Sequence, residues 1–194
     1  MKNEKEDRRL KMTRRLLKDA LVELMKTRSI HEISVKKLCE TADVNRSTFY
    51  RHYESQYDLC QEILDDVSAE IYVLIERRPA GPNRLRLLLT DILTYLEEER
   101  ELILVLLSKN GNLNIGEMFS KIVGRLIQED ETTEMAAYCT QFITAGVTSI
   151  VWLWLNKEDR RSPKDIAMLM NVLFLHGVKK AMLLAGRDDL LDSM

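Results

Sequence analysis

Arg46, Ser47, Tyr50 and Arg51 stand at i, i+1, i+4 and i+5, a spacing that gathers two guanidinium groups, a hydroxyl and a phenol on one helix face. The chemistry of such a face is non-covalent. Arginine forks onto guanine and hydroxyls reach phosphate oxygens, so the face suits a helix laid in a major groove. Phe49 and Tyr53, four apart, fall on a different face and are expected to point inward, onto Leu38, Val44 and the preceding helix. The segment 34–53 reads SVKKLCETADVNRSTFYRHY. It holds two short helices joined by the turn Asp43-Val44-Asn45, with Val44 expected to be buried, which is the layout of a helix-turn-helix. Spacing alone also fits an ordinary helical hairpin with a polar surface.

Other chemistries find little support. The three histidines are scattered, with no carboxylate or thiol cluster at ligand spacing, so no metal site is expected. His31 reads as a surface residue and His176 as a core histidine. No glycine-rich phosphate loop and no GxSxG stand in the chain. Catalysis and a cofactor are therefore not expected. Cys39, Cys60 and Cys139 are odd in number and lack a CxxC, so a reducing cytoplasm is the simplest setting. Glu97-Glu98-Glu99 and Glu129-Asp130-Glu131 read as solvated helix ends, and the nine methionines as flexible core filler.

The elements that position the cationic face are read from periodicity. With 45% hydrophobic and 31% charged residues, 7 Gly and 3 Pro, the chain reads as an all-helical globular protein. Its net charge is −2, but residues 1–60 carry 14 Lys and Arg against 10 Asp and Glu, an excess of +4 where the motif lies. Residues 1–9 read as a charged arm without the apolar core of a signal peptide. A first helix is expected from Leu10 to near Arg28, its stripe formed by Leu10, Leu16, Leu17, Ala20, Leu21, Leu24 and Met25. Ser34 is expected to cap the second helix, Asn45 a third over 46–53, and Ser55 a fourth over about 56–77, with Asp58 completing a capping box. The run Pro79-Ala80-Gly81-Pro82 ends it. Further helices are expected at about 84–99, 101–109, 115–129, 134–156 and 163–185, the last capped by Ser162 and stopped by Gly186. The most apolar stretch, 142–155, falls short of the roughly 20 residues of a membrane span, so no membrane partner is expected.

Residues 33–59 resemble the DNA-binding domain of the TetR family of bacterial transcriptional regulators. Ile33, Ser34, Leu38, Cys39, Ala42, Val44, Asn45, Ser47, Thr48, Phe49, Tyr50, His52, Tyr53, Ser55 and Leu59 stand where the family pattern asks for them. The run from Asn45 to Tyr53 is especially specific. The resemblance implies an N-terminal helix-turn-helix domain, 1–55, followed by an effector-binding and dimerisation bundle, 56–194. It implies that Lys36, Arg46, Ser47 and Arg51 reach base edges or phosphate, that Tyr50 and His52 hold phosphate, and that Thr48 and Arg14 add backbone contacts. Two positions depart from the pattern. Asp43 replaces the usual turn glycine, and aspartate tolerates a left-handed backbone better than most residues. Gln56 replaces the usual lysine, which removes a phosphate charge, although the backbone N–H groups there still offer an anion site.

The helices expected at 134–156 and 163–185 are apolar on more than one face, which implies two partners: the protein's own core and a second subunit. The resemblance implies a two-fold homodimer that reads double-stranded operator DNA of palindromic sequence. Val151, Trp154, Leu169, Leu173 and His176 are the expected interface residues. Tyr95, Met118, Phe119, Tyr138, Phe142, Trp152 and His176 are candidates to line a pocket for a small hydrophobic or aromatic effector, and each equally fits the core. A repressor released by such an effector is the first reading. A regulator whose bundle answers to a protein partner is the alternative.

Overall fold

Lys, Glu and Arg dominate residues 2–9, and all three are good helix formers. In a computed structural model of the chain the first helix, α1 (Lys2–Met25), accordingly begins at Lys2, so the expected arm is helical. The structure describes residues 2–77, 81, 83–108, 115–127 and 134–173, with side chains for all of these except 2–8, 127, 134 and 135. After α1 come a 3₁₀ turn (Ile30–Glu32), α2 (Val35–Ala42), α3 (Arg46–Phe49), α4 (Gln56–Arg77) and α5 (Arg84–Glu98). Then follow α6 (Arg100–Leu107), α7 (Ile115–Ile127), α8 (Glu134–Asn156) and α9 (Pro163–Leu173). The fold is all-α, and no strand occurs among the described residues. His176, the acidic run at 129–131, Gly186 and the expected continuation of the last helix to 185 lie outside the described residues.

The chain divides into two compact units. The first comprises the described residues of Met1–Val67 and Val105–Leu113, the second those of Ser68–Leu104 and Asn114–Met194. The division falls inside α4, after Val67.

In the first unit α1 packs on α2 and α2 on α3. Leu17, Leu21, Met25, Ile30, Ile33, Leu38, Phe49, Leu59 and Leu64 are fully buried and form its core. Leu10 and Leu16 leave the expected stripe, each 38% exposed, and the buried line on α1 runs instead through Leu17, Ala20, Leu21 and Met25. Three-to-four-residue spacing places these four on one side of the helix.

In the second unit α5 packs on α9 and α7 on α8. Leu88, Leu89, Ile92, Leu93 and Leu96 supply the buried face of α5, and Ala167 and Met170 that of α9. Polar contacts hold the α8–α9 connection. The Trp154 indole N–H donates to the Arg161 carbonyl at 2.7 Å, and Arg100 Nε donates to the Leu155 carbonyl at 2.7 Å, near the carbonyl-rich end of α8. Arg160 Nε reaches Glu97 Oε1 at 2.7 Å, with side-chain exposures of 25% and 29%. Glu97 is thus a half-buried ion-pair partner and not a solvated helix end. Ser162 caps α9 as expected: its hydroxyl accepts from Asp165 N–H at 3.3 Å and donates to the Asp165 carboxylate at 2.8 Å.

α8 is longer in its apolar character than the stretch 142–155. Ala136–Asn156, with a mean hydropathy of 1.3, is long and apolar enough to cross a membrane by length and composition alone. One such helix is weak evidence of a span, and α8 buries Ala136, Thr140, Ile143, Thr144, Val151, Trp154 and Leu155 within the unit.

Candidate nucleic-acid interface

Capping fixes the two short helices. The Ser34 hydroxyl accepts from Lys37 N–H at 3.2 Å and starts α2. α2 ends at Asp43, held in the left-handed region at φ 52°, ψ 43°, after which Val44 N–H donates back to the Cys39 carbonyl at 3.0 Å. This is the work a glycine does at a helix C-terminus, and Asp43 does it at some backbone cost. Asn45 Oδ1 then accepts from Ser47 N–H and from the Ser47 hydroxyl, both at 3.0 Å, and starts α3. Ser55 accepts from Asp58 N–H at 3.4 Å at the start of α4, while the Asp58 carboxylate takes the Glu54 N–H at 3.2 Å.

α3 is shorter than the periodicity implies. Only Arg46–Phe49 is α-helical. Beyond it Arg51 N–H and His52 N–H donate to the carbonyls of Thr48 and Phe49, three residues back, so the chain tightens to the 3₁₀ pattern before Tyr53. The inward anchors remain. Phe49 is 0% and Tyr53 3% exposed, their ring centres 5.5 Å apart. Val44 is half-buried where full burial was expected, because it sits in the turn at the rim of the core.

The opposite surface carries the candidate residues. Arg46, Ser47, Tyr50 and Arg51 are exposed together, and Thr48 and His52 are half-buried. Tyr50 is 53% exposed, its ring edge-on to Phe49 at 5.5 Å, so the core orients a phenol that faces water. Lys36 and Lys37 are exposed on α2, and Lys36 stands 3.9 Å from Glu40. Gln56 is half-buried as the first residue of α4. An open cleft of about 560 Å³ lies between α2 and α3, lined by Lys36, Cys39, Glu40, Val44 and Arg46 among others. Burial raises the Cys39 thiol pKa, with the Arg46 charge opposing, and burial pushes the Cys60 thiol up to about 12, so neither favours a thiolate.

A charged cluster missed by the sequence reading sits behind this surface. Lys18 Nζ lies 2.6 Å from Glu62 Oε1 and also pairs with Asp66, while Arg14 Nη1 stands 3.9 Å from Glu62. Burial works against the charges of Lys18 and Glu62, but their pairing outweighs it, so the Lys18 pKa is raised and the Glu62 pKa lowered. Burial, with the Glu62 carboxylate alongside, raises the Tyr53 phenol well above its ordinary range, and its hydroxyl makes no well-formed hydrogen bond. Arg14 therefore has Glu62 as a partner inside the unit. His31 is exposed, and its Nδ1 meets the Tyr57 hydroxyl at 2.8 Å.

The candidates in the second unit differ in burial. Phe119 is buried at 3% and Tyr95 is half-buried, but Tyr138, Phe142 and Trp152 are 62%, 75% and 45% exposed. Of the expected interface residues, Val151 and Trp154 are core, at 1% and 3% exposed, because they lie on the inward stripe of α8 and Trp154 is tied to Arg161. Leu169 and Leu173 are exposed, at 49% and 52%. Among the described residues no group of three or more His, Cys, Asp or Glu could hold a metal ion.

Comparison with known proteins agrees with this geometry. The family model described as "Bacterial regulatory proteins, tetR family" matches residues 17–63, and that described as "Transcriptional regulator C-terminal region" matches residues 83–176. An uncharacterized HTH-type transcriptional regulator of Bacillus subtilis, YxbF, is 24% identical over 165 residues, covering 78% of this chain. The dhaKLM operon transcriptional activator DhaS of Lactococcus lactis is 32% identical over 60 residues, covering 31% of this chain. The matches span 42% and 32% of those relatives' own lengths. A TetR transcriptional regulator from Streptococcus agalactiae shares the fold, with 22% identity and a TM-score of 0.64 over 87% of this chain and 96% of that one. With both family models matched, and with a helix-turn-helix that turns an arginine- and tyrosine-bearing face to solvent, the chain belongs to the TetR family of transcriptional regulators.

Proposed function

We propose that the protein is a cytoplasmic repressor that binds a palindromic operator in double-stranded DNA as a homodimer and is released by a small hydrophobic or aromatic effector. The observation that carries the DNA reading is the solvent-facing set Arg46, Ser47, Tyr50 and Arg51, held out by the burial of Phe49 and Tyr53. Lys36, Thr48, His52 and Gln56 flank that set and are proposed to hold phosphate or base edges. The dimer reading is supported by the large apolar side chains that α8 and α9 leave in water: Tyr138, Phe142, Trp152 and Leu153 on one, Met168, Leu169, Val172 and Leu173 on the other. Isolated monomers seldom leave so much apolar surface exposed. A two-fold pair would present two recognition helices to half-sites roughly 34 Å apart. The proposed interface thus keeps Leu169 and Leu173 and gains Phe142 and Trp152. Tyr95 and Phe119 remain the effector candidates, and no cofactor is needed.

The second reading is a DNA-binding regulator or coactivator whose C-terminal domain responds to a protein partner and not to a small ligand; the description of the Lactococcus lactis relative as a transcriptional activator supports an activating sign alone. Selection of duplexes from a random pool tests the DNA reading, repeated with Arg46→Ala and Tyr50→Phe. The expected result is a palindrome whose readout relaxes at one position per half-site in the Arg46 variant. A folded protein that enriches no sequence at low salt would refute it. Phe142→Asp is expected to leave a helical monomer in sedimentation, and a reporter downstream of the recovered site gives the sign of control.

A further inference from the structure

Threonines inside the helices of this protein mostly bond to their own backbone. Thr41 donates to the Lys37 carbonyl at 3.0 Å, Thr90 to Arg86 at 2.8 Å, Thr94 to Thr90 at 2.8 Å and Thr148 to Thr144 at 2.9 Å. Thr144 breaks the pattern. It is 4% exposed, and its hydroxyl is buried with no hydrogen-bond partner among the described residues. A buried hydroxyl without a partner is unfavourable relative both to a paired one and to a methyl group of the same shape. Such a group in a native fold marks strain, a functional role or a bound partner from outside the chain, and for Thr144, on an apolar buried stripe, we take the last.

The surroundings define that occupant. Thr144 shares the buried stripe of α8 with Thr140, Ile143 and Val151, and α8 packs on α7, which buries Met118, Phe119, Ile122 and Val123. The cations of α7 are turned to solvent and engaged elsewhere: Lys121 pairs with Glu117 at 2.8 Å and Arg125 with Glu76 at 3.2 Å. The buried faces of these two helices therefore offer hydroxyls and no charge.

We propose that Thr144 is the polar anchor of a small-molecule site on the buried stripe of α8, taking an uncharged ligand with one carbonyl or hydroxyl on an apolar body. The site rests on the reading of this bundle as effector-binding and gives that effector a chemistry. A carbonyl accepts the Thr144 proton, and the apolar body replaces side-chain packing. A carboxylate or phosphate would lose its hydration and find no cation among the described buried residues of α7 and α8.

The probe is 2-octanone, with octanoate as the charged control, titrated calorimetrically into the full chain; release from the selected duplex is measured separately. The wild type is expected to bind 2-octanone about tenfold more tightly than Thr144→Val, with Thr144→Ser close to wild type and octanoate weaker throughout. Without any ligand, Thr144→Val is expected to raise the melting temperature by about 2–4 °C, since a methyl replaces an unpartnered hydroxyl. A melting temperature lowered by Thr144→Val would mean that the hydroxyl is paired within the protein and would overturn the site. Equal 2-octanone affinity of wild type and Thr144→Val, undetectable binding included, would overturn it too. Thr144-dependent binding without DNA release supports the site and removes the effector role. DNA release by another compound, unaffected by Thr144→Val, keeps the effector role and overturns the site.

Discussion

Lys18→Met removes one charge from the cluster behind the surface proposed to meet DNA and keeps the length of the side chain, so the effect reads the charge more than the packing. In the protein the Lys18 and Glu62 side chains are 21% and 26% exposed and 2.6 Å apart. An exposed pair contributes about 0–1 kcal/mol. Breaking a fully buried pair costs about 3–5 kcal/mol, mostly because the other charge is stranded. Glu62 keeps Arg14, at 3.9 Å, with the Tyr53 phenol alongside, and Asp66 is 63% exposed and adds little. The expected loss therefore lies between the limits, about 2 kcal/mol, or roughly 4–8 °C in melting temperature for a chain of this size.

The pH dependence follows from the two shifts. Glu62 has a lowered pKa, so its share of stability is present above the ordinary carboxylate value of 4.5 and is lost as pH falls through the folded value. Lys18 has a raised pKa, so its share is present below 10.5 and is lost as pH rises through the folded value. Urea melts from pH 3 to 9 should show wild type and variant apart at pH 7 and converging at the acid end. The double variant Lys18→Met/Glu62→Gln should be more stable than the sum of the single losses implies. A loss below about 0.3 kcal/mol at pH 7, or one unchanged at pH 3, would refute the reasoning, the first by showing a screened pair and the second by showing that packing was lost.

Two further perturbations test the geometry of the helix-turn-helix. Asp43→Gly relieves the φ of 52° and is expected to raise stability by up to about 1 kcal/mol in urea melts, while Asp43→Val lowers it by more. Gln56→Lys restores a cation at the start of α4 and is expected to steepen the slope of log K against log salt by about one unit, without changing the preferred sequence.

Local signals were the legible ones. Ser34, Asn45 and Ser162 announce helix starts because a short polar side chain before an apolar period has few other uses, and each caps as expected. The inward placement of Phe49 and Tyr53 follows from spacing alone. The end of α3 was not legible, because the tightening from four-residue to three-residue hydrogen bonds changes no periodicity that three residues can show. The Lys18–Glu62 pair joins positions 44 apart, and only the packed helices bring them together. α8 misled for a different reason. Its apolar character on two faces is plain in the sequence, but the inward face carries Thr140 and Thr144 while Tyr138, Phe142 and Trp152 face water. Ranking by aromatic content reverses the two sides: three of the four large aromatic side chains of α8 face water and only Trp154 faces inward.

That reversal also gives the protein two optically distinct reporters. Its two tryptophans, Trp152 and Trp154, stand two residues apart on α8, one 45% and the other 3% exposed. In a dilute monomer their emission should be a sum of a red-shifted component, open to acrylamide, and a blue-shifted one that the quencher cannot reach. Covering the outer face of α8 would protect the first and leave the second unchanged. A quenching curve that straightens as protein concentration rises would thus report association without a label, from an indole placed by nothing more than the pitch of one helix.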